Sequence, residues 1–196
     1  MHDLVIQGGT VVTPSGVGEF DITINEGKIS SVSSLSSQCY DAKNIVNASG
    51  YIVVPGGIEP HAHIGGPRQP ERSGAEPVSK AALLGGTTTV LDFATQIPGH
   101  DLLHAVNEAQ DRWDNSAYTD YAYHTILPNG IDETSLSQIK ELSEDGISSF
   151  KVFTTSIRPP SPQMQNNHID FGRLGIIIEK IRDSGAMLMV HSEDDE

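Results

Sequence analysis

From Pro55 onward the chain alternates short apolar, β-branched runs with amphipathic stretches, at a spacing of roughly thirty residues, the size of a βαβ unit. Apolar runs stand at residues 53–64, 87–93, 121–127, 150–153 and 186–191. Helical periodicity occupies the intervals between them. Val78 to Leu84 predicts a short helix stopped by Gly85-Gly86, and Asp101 to Trp113 places Leu102, Leu103, Val106, Ala109 and Trp113 on one stripe. Asp132 can cap a helix running to Asp145, with Leu136, Ile139 and Leu142 inward and Gly146 as its stop. Ile169 to Asp183 predicts the last helix, with Leu174, Ile177, Ile178 and Ile181 inward and Gly185 as its stop.

Repeated β-α units imply a parallel sheet, either open and doubly wound or closed as a (β/α)8 barrel. A dinucleotide-binding open sheet needs G-x-G-x-x-G after its first strand, and neither Gly56-Gly57 nor Gly65-Gly66 supplies it. The expected fold class is therefore α/β, a partial TIM-like barrel of about five of eight βα units over residues 55–196. Five strands do not close such a barrel, and its open edge would expose unpaired backbone. The expectation is part of a longer polypeptide, or a shortened product that pairs with something.

Residues 1–54 read differently. Leu4-Val5-Ile6, Thr10-Val11-Val12-Thr13, Phe20 to Ile24 and Lys28 to Val32 are short strands separated by Gly8-Gly9, Pro14-Ser15-Gly16 and Asn25-Glu26-Gly27. Ile45-Val46 and Tyr51 to Val54 follow a polar loop. This is the expected N-terminal part of a small β-sandwich, and it carries no chemical motif.

Net charge is −14, from 26 acidic against 12 basic residues, so no basic stripe exists to meet nucleic acid or an anionic membrane. The one cysteine, Cys39, permits no internal disulfide and favours a reducing compartment. No signal peptide opens the sequence and no stretch approaches the length of a membrane span, so the expected location is cytoplasmic.

In a (β/α)8 barrel the functional side chains stand at the C-terminal ends of the strands. Those ends carry His61 and His63, Asp92, His124, Lys151 and His191. His61 and His63 are spaced i, i+2 and project from one face of an extended chain, as chelation of one metal ion by two imidazoles requires. A bare H-x-H has many chance occurrences; convergence with Lys151 and His191 gives it weight. Lys151 is flanked by Phe150, Val152 and Phe153, where a buried ammonium is costly and desolvation exposes a nucleophilic amine. Asp92 and His124 are candidates for the shell around such a site, with structural roles as the alternative. His2, His100, His104 and His168 read as solvated, Arg68 and Arg72 as surface residues, and Glu193 to Glu196 as a chain end.

Four segments carry a resemblance: Val54 to His63, Gly85 to Ala94, Ser149 to Phe153 and Met189 to Glu193. With Gly8 to Val12 and Gly27 to Ile29, they resemble the dihydropyrimidinase/D-hydantoinase family of cyclic amidohydrolases, in order and over essentially the whole chain. The resemblance implies a zinc hydrolase with two Zn2+ ions per complete subunit. His61 and His63 would bind one metal, and His191 the other. Lys151, carboxylated by CO2 on its ε-nitrogen (N6-carboxylysine), would bridge both. Two metals acidify a shared water and polarise the amide carbonyl it attacks, so the implied reaction opens a small cyclic amide or imide. A homotetramer is also implied.

The sequence departs from the family pattern at three places. The remaining ligands, a histidine and a proton-shuttling aspartate, would lie beyond Glu196. Ser156 stands where hydantoinase-type members carry an oxyanion-stabilising tyrosine, and Ile64 to Arg68 differs from the usual segment after the second histidine. Residues 1–196 alone are thus expected to be inactive, and allantoinase- or dihydroorotase-like specificity stays open. The competing class is a non-catalytic assembly protein on the same scaffold, as in the collapsin response mediator proteins. Retention of His61, His63, Lys151 and His191 favours the enzyme.

Overall fold

The computed structural model describes residues 1–35, 39–65, 73–97, 99–155 and 168–192. Two compact units emerge, Met1–Gly56 and Gly57–Glu196. The fold is mixed α/β, with a curled parallel half-barrel sheet in the second unit and a separate sheet in the first.

The first unit contains β1 (His2–Thr13), β2 (Gly16–Asn25), β3 (Lys28–Ser34), β4 (Ala42–Asn47) and β5 (Ile52–Val53). Their order is β3-β2-β1-β4, with β5 also paired to β1. The β2–β3 turn is Glu26-Gly27, with φ of 50° and 71°. Two positive-φ residues match the right-handed twist of a tight hairpin, which is why glycine is wanted there. Val5, Val11 and Ile22 are buried, and so is Asp21, whose carboxylate accepts from the Gly8 N–H and the Tyr40 hydroxyl, each at 2.9 Å.

The second unit begins with β6 (Gly57–Glu59), then α1 (Ala75–Leu84), β7 (Thr87–Thr95), α2 (Leu102–Trp113) and β8 (Asp120–Ile126). It continues with α3 (Glu133–Ser137), α4 (Ile139–Glu144), β9 (Ser149–Phe153), α5 (Phe171–Ser184) and β10 (Met187–His191). Every strand pairs in parallel with its neighbour in sequence, giving the order β10-β9-β8-β7-β6. The helices bury Leu102, Trp113, Leu136, Ile139 and Ile177, and the sheet's helix-facing side buries Val90, Phe150 and Val152. Each such large side chain contributes roughly 1.5–3 kcal/mol by leaving water.

Local chemistry sets the helix ends. Asp101, Asp132 and Asp170 each accept a hydrogen bond from the backbone N–H three residues on, at 2.7 to 2.8 Å. Gly185 ends α5 in the left-handed region at φ 73°.

Several expectations need correction. The helix expected from Asp132 to Asp145 is two short helices, α3 and α4, meeting at Gln138. Gln138 turns its side chain to α2 instead, accepting from the Leu102 and Leu103 N–H groups and donating to Asp101. The α2 stripe is Leu102, Ala105, Ala109 and Trp113, with Leu103 exposed. On α5, Ile178 also faces out. The helix expected from Ile169 starts only after Asp170, because Ile169 bonds its N–H to the Phe153 carbonyl.

Candidate functional site

The strand leading into the His-x-His pair stops at Glu59 rather than at the histidines. Proline at 60 has no N–H to give a ladder. Residues 60–64 instead run as an unladdered segment tied down bond by bond. Ala62 N–H donates to the Leu91 carbonyl at 2.9 Å and His61 N–H to Glu59 Oε1 at 3.0 Å. Ile64 N–H donates to Asp92 Oδ1 at 3.1 Å, and His124 Nε2 meets the Pro60 carbonyl at 2.7 Å.

The segment holds the two imidazoles close together, with ring centroids 5.3 Å apart. Phe93 of β7 forms their common wall. His63 stacks on it at 4.2 Å and 11°, and the His61 ring lies 4.8 Å from it. Alternation along β9 turns Ser149, Lys151 and Phe153 toward this side of the sheet, while Phe150 and Val152 enter the helix-facing core.

Lys151 is only 3% exposed. Its Nζ stands 3.1 Å from His61 Nε2, 4.9 Å from the Phe93 ring centroid and 5.1 Å from that of Phe153. Among the described residues no carboxylate pairs with it. Aromatic faces attract a cation weakly and cannot replace water or an anion. Burial accordingly holds the lysine pKa below its ordinary value. His61 is also held below the usual histidine value, first by burial, then by the charges of Lys151 and His124, against an opposing pull from Glu59. Both effects favour neutral nitrogen donors, the form that binds metals or attacks CO2.

His191 ends β10 in register with Phe153, and its ring lies 5.3 Å from the ring of Phe153. It therefore belongs to the same face. Among the described residues, however, no three His, Cys, Asp or Glu side chains gather as a metal-holding group. The close assembly is His61, His63 and Lys151 around Phe93.

The other two candidates separate. His124 lies on β8, 6% exposed, between the Pro60 carbonyl and the Ser149 hydroxyl. Asp92 points toward α2, where Oδ2 accepts from Trp113 Nε1 at 2.9 Å and pairs with Arg112 at 3.4 Å. It reaches the site through backbone alone, at the N–H groups of Ile64 and Phe93.

Phe93 and Ser149 were not singled out by sequence reasoning. Phe93 alternates with Asp92 on β7, and that alternation is the signal that assigns it to the histidine face. A cleft of about 440 Å³ borders the His-x-His segment at Glu59 and Ala62 and is further lined by Val78, Ala81 and Ala82 of α1 with Thr87 and Val90 of β7. Neither Lys151 nor either site histidine lines it. Ser156, Arg68, Arg72 and Glu193 to Glu196 lie outside the described residues. No described helix is long and apolar enough to cross a membrane.

No protein-family model matches the chain. A D-hydantoinase of Rhizobium radiobacter is 33% identical over 198 residues, covering 98% of this chain and 40% of that protein. An allantoinase of Escherichia coli O1:K1 / APEC is 26% identical over 193 residues, covering 98% of this chain and 41% of its own length. The crystal structure of dihydropyrimidinase from Brevibacillus agri NCHU1002 superimposes with a TM-score of 0.84 at 28% identity, over 99% of this chain and 40% of that one. The chain thus spans about 40% of the length of the relatives it matches. Its strand order, its His-x-His segment and these similarities together place it in the dihydropyrimidinase/D-hydantoinase family, as the counterpart of the N-terminal portion of its members.

Proposed function

We propose that the complete protein containing these residues is a zinc-dependent cyclic amidohydrolase that opens the C–N bond of a hydantoin- or dihydropyrimidine-like ring. The observation that carries the reading is Lys151, enclosed by His61, Phe93 and Phe153 with no carboxylate partner among the described residues. A lysine kept this way is costly as a cation. Carboxylation of its neutral amine by CO2, with release of a proton, would exchange the cation for an anionic carbamate whose two oxygens bound metal ions would neutralise. In this reading His61, His63, carboxylated Lys151 and His191 would be the residues of this chain that hold the two Zn2+ ions. Bound divalent ions would supply an acidified water and polarise the amide carbonyl.

The protein's own residues set the frame for that chemistry. Phe93 fixes the plane of the His63 ring and keeps water from one side of both imidazoles. Burial lowers the His61 pKa and so favours the neutral form that can ligate. The parallel sheet is read as the first five strands of a (β/α)8 barrel, and residues 1–54 as part of a β-sandwich domain. The complete protein is further read as cytoplasmic and homotetrameric, and residues 1–196 alone as lacking turnover. An allantoin-type ring is the alternative substrate, favoured by the similarity to allantoinase.

The test is zinc content and turnover of hydantoin, dihydrouracil and allantoin by the purified complete protein. About two equivalents of zinc with ring opening of one of these substrates supports the reading. A protein with intact His61 and His63 that binds no divalent metal overturns it.

A further inference from the structure

We propose that His124 is a positioning residue that sets the spacing between His61 and Lys151, a role that presupposes the metal-centre reading above. Its ring spans strands that do not touch. β8 is separated from β6 by β7, yet His124 Nε2 lies 2.7 Å from the carbonyl of Pro60, just past the end of β6. That carbonyl belongs to the peptide bond leading into His61. On the other side, Nδ1 meets the hydroxyl of Ser149, which stands two residues before Lys151 on the same face of β9. A single buried ring therefore joins the backbone of one site residue to the strand of the other.

The remaining backbone ties of the His-x-His segment do not make this connection. The Ala62 and Ile64 N–H groups both end on β7, at Leu91 and Asp92, and the His61 N–H returns to Glu59 of β6. Without His124, the backbone of the Pro60-His61 peptide is held to β6 and β7 only, and its distance to β9 depends on Phe93 packing and on the His61–Lys151 side-chain contact itself. The hydrogen-bond polarity is fixed at one end. A carbonyl oxygen can only accept, so Nε2 must carry the proton, whereas the Ser149 hydroxyl suits Nδ1 as donor or acceptor.

The test compares two amide variants in the full chain. The amide nitrogen of His124→Gln reaches where Nε2 stands; that of His124→Asn reaches only where Nδ1 stands. A role in packing alone moves both variants together. Positioning separates them through the Pro60 end, because His124→Gln keeps that link and β8 stays laddered to β9 at Thr125 and Ile126 without the Ser149 bond. Zn2+ affinity, measured by competition with a chromophoric chelator, falls about 10- to 100-fold in His124→Asn and much less in His124→Gln. Equal affinities in the two variants, with the wild type binding Zn2+, overturn the positioning role and leave the metal reading standing. A wild type that binds no Zn2+ overturns both. A metal-free measurement needs no variant to fold: long-range ¹H–¹⁵N spectra of the wild type should show a proton on His124 Nε2. A tautomer protonated at Nδ1 alone removes the Pro60 link and overturns the proposal.

Discussion

Lys151 Nζ stands 3.1 Å from His61 Nε2, although the two residues are 90 positions apart in sequence. Each side chain is brought there by a different device. Lys151 comes by strand alternation within β9, His61 by an unladdered segment whose carbonyl and amide groups are bonded one at a time. The pair joins a regular element to an irregular one, so its geometry is sensitive to contacts on both sides.

Replacement of Lys151 by Met is expected to separate stability from metal binding. Methionine matches the length and volume of the buried chain and carries no charge to desolvate. The metal-free variant should be as stable as wild type, or more so by about 1–2 kcal/mol. Its second metal should be lost. Differential scanning calorimetry of the metal-free proteins, beside metal analysis after zinc loading, checks both halves. A destabilised, fully loaded variant would contradict the role given to Lys151.

Asp92 is expected to act on the fold rather than on the chemistry. In Asp92→Asn, one oxygen still accepts from the Ile64 and Phe93 N–H groups, but an NH2 faces the Trp113 N–H and the Arg112 guanidinium. Donor against donor, with a largely buried cation left unpaired, should cost about 3 kcal/mol. Trp113→Phe removes one donor and leaves Arg112 in place, so it should cost less than Asp92→Asn, about 1–2 kcal/mol. Urea unfolding of both variants gives the order.

The regular parts of this arrangement were legible in the sequence because they follow periodicity. The strands holding Lys151 and His191, and the buried residues Leu136, Ile139 and Leu142, all follow from runs of apolar spacing. What escaped depends on long-range polar contacts, which leave no period. Gln138 breaks a helix to serve the start of another, and Ser149 and His124 meet across 25 positions. Asp92 resembled its neighbours in type and strand level, yet faces the helices, because it lies one residue from Phe93 and strand faces alternate.

The cap of α2 should give a measurable pH dependence. Asp101 accepts from the His104 N–H at 2.8 Å and from Gln138, and these bonds hold its carboxyl below the ordinary value of 3.8. With the folded pKa depressed, the carboxylate contributes stability above the unfolded value. That contribution is lost as pH falls through the folded one. Asp101→Asn keeps a capping oxygen but not the charge, so it should be less stable than wild type at pH 7 by about 0.5 kcal/mol. The difference should close only as the pH falls through the depressed folded value, where the wild-type carboxyl becomes protonated. Thermal midpoints of the two proteins at several pH values test this; a gap constant down to low pH would rule out the charge as its source.

Phe93 supplies the last test, because it touches both imidazoles and lies over the Lys151 ammonium. Phe93→Leu keeps most of the apolar volume on this face but loses the flat surface on which His63 stacks. The repacking should cost about 1–2 kcal/mol of stability, since the Ile126 and Phe153 contacts are partly retained. The effect on zinc should exceed what that loss explains. With the His63 ring free to turn, two imidazoles no longer present their nitrogens in a fixed relation, and Zn2+ affinity should fall about tenfold or more. Phe93→Tyr keeps the flat face and should retain affinity if the added hydroxyl is accommodated. Titration of the three proteins with Zn2+, beside their urea midpoints, distinguishes the cases. Affinity that follows stability alone would show Phe93 to be filler for the sheet; affinity that follows the aromatic plane would show that it orients the histidines.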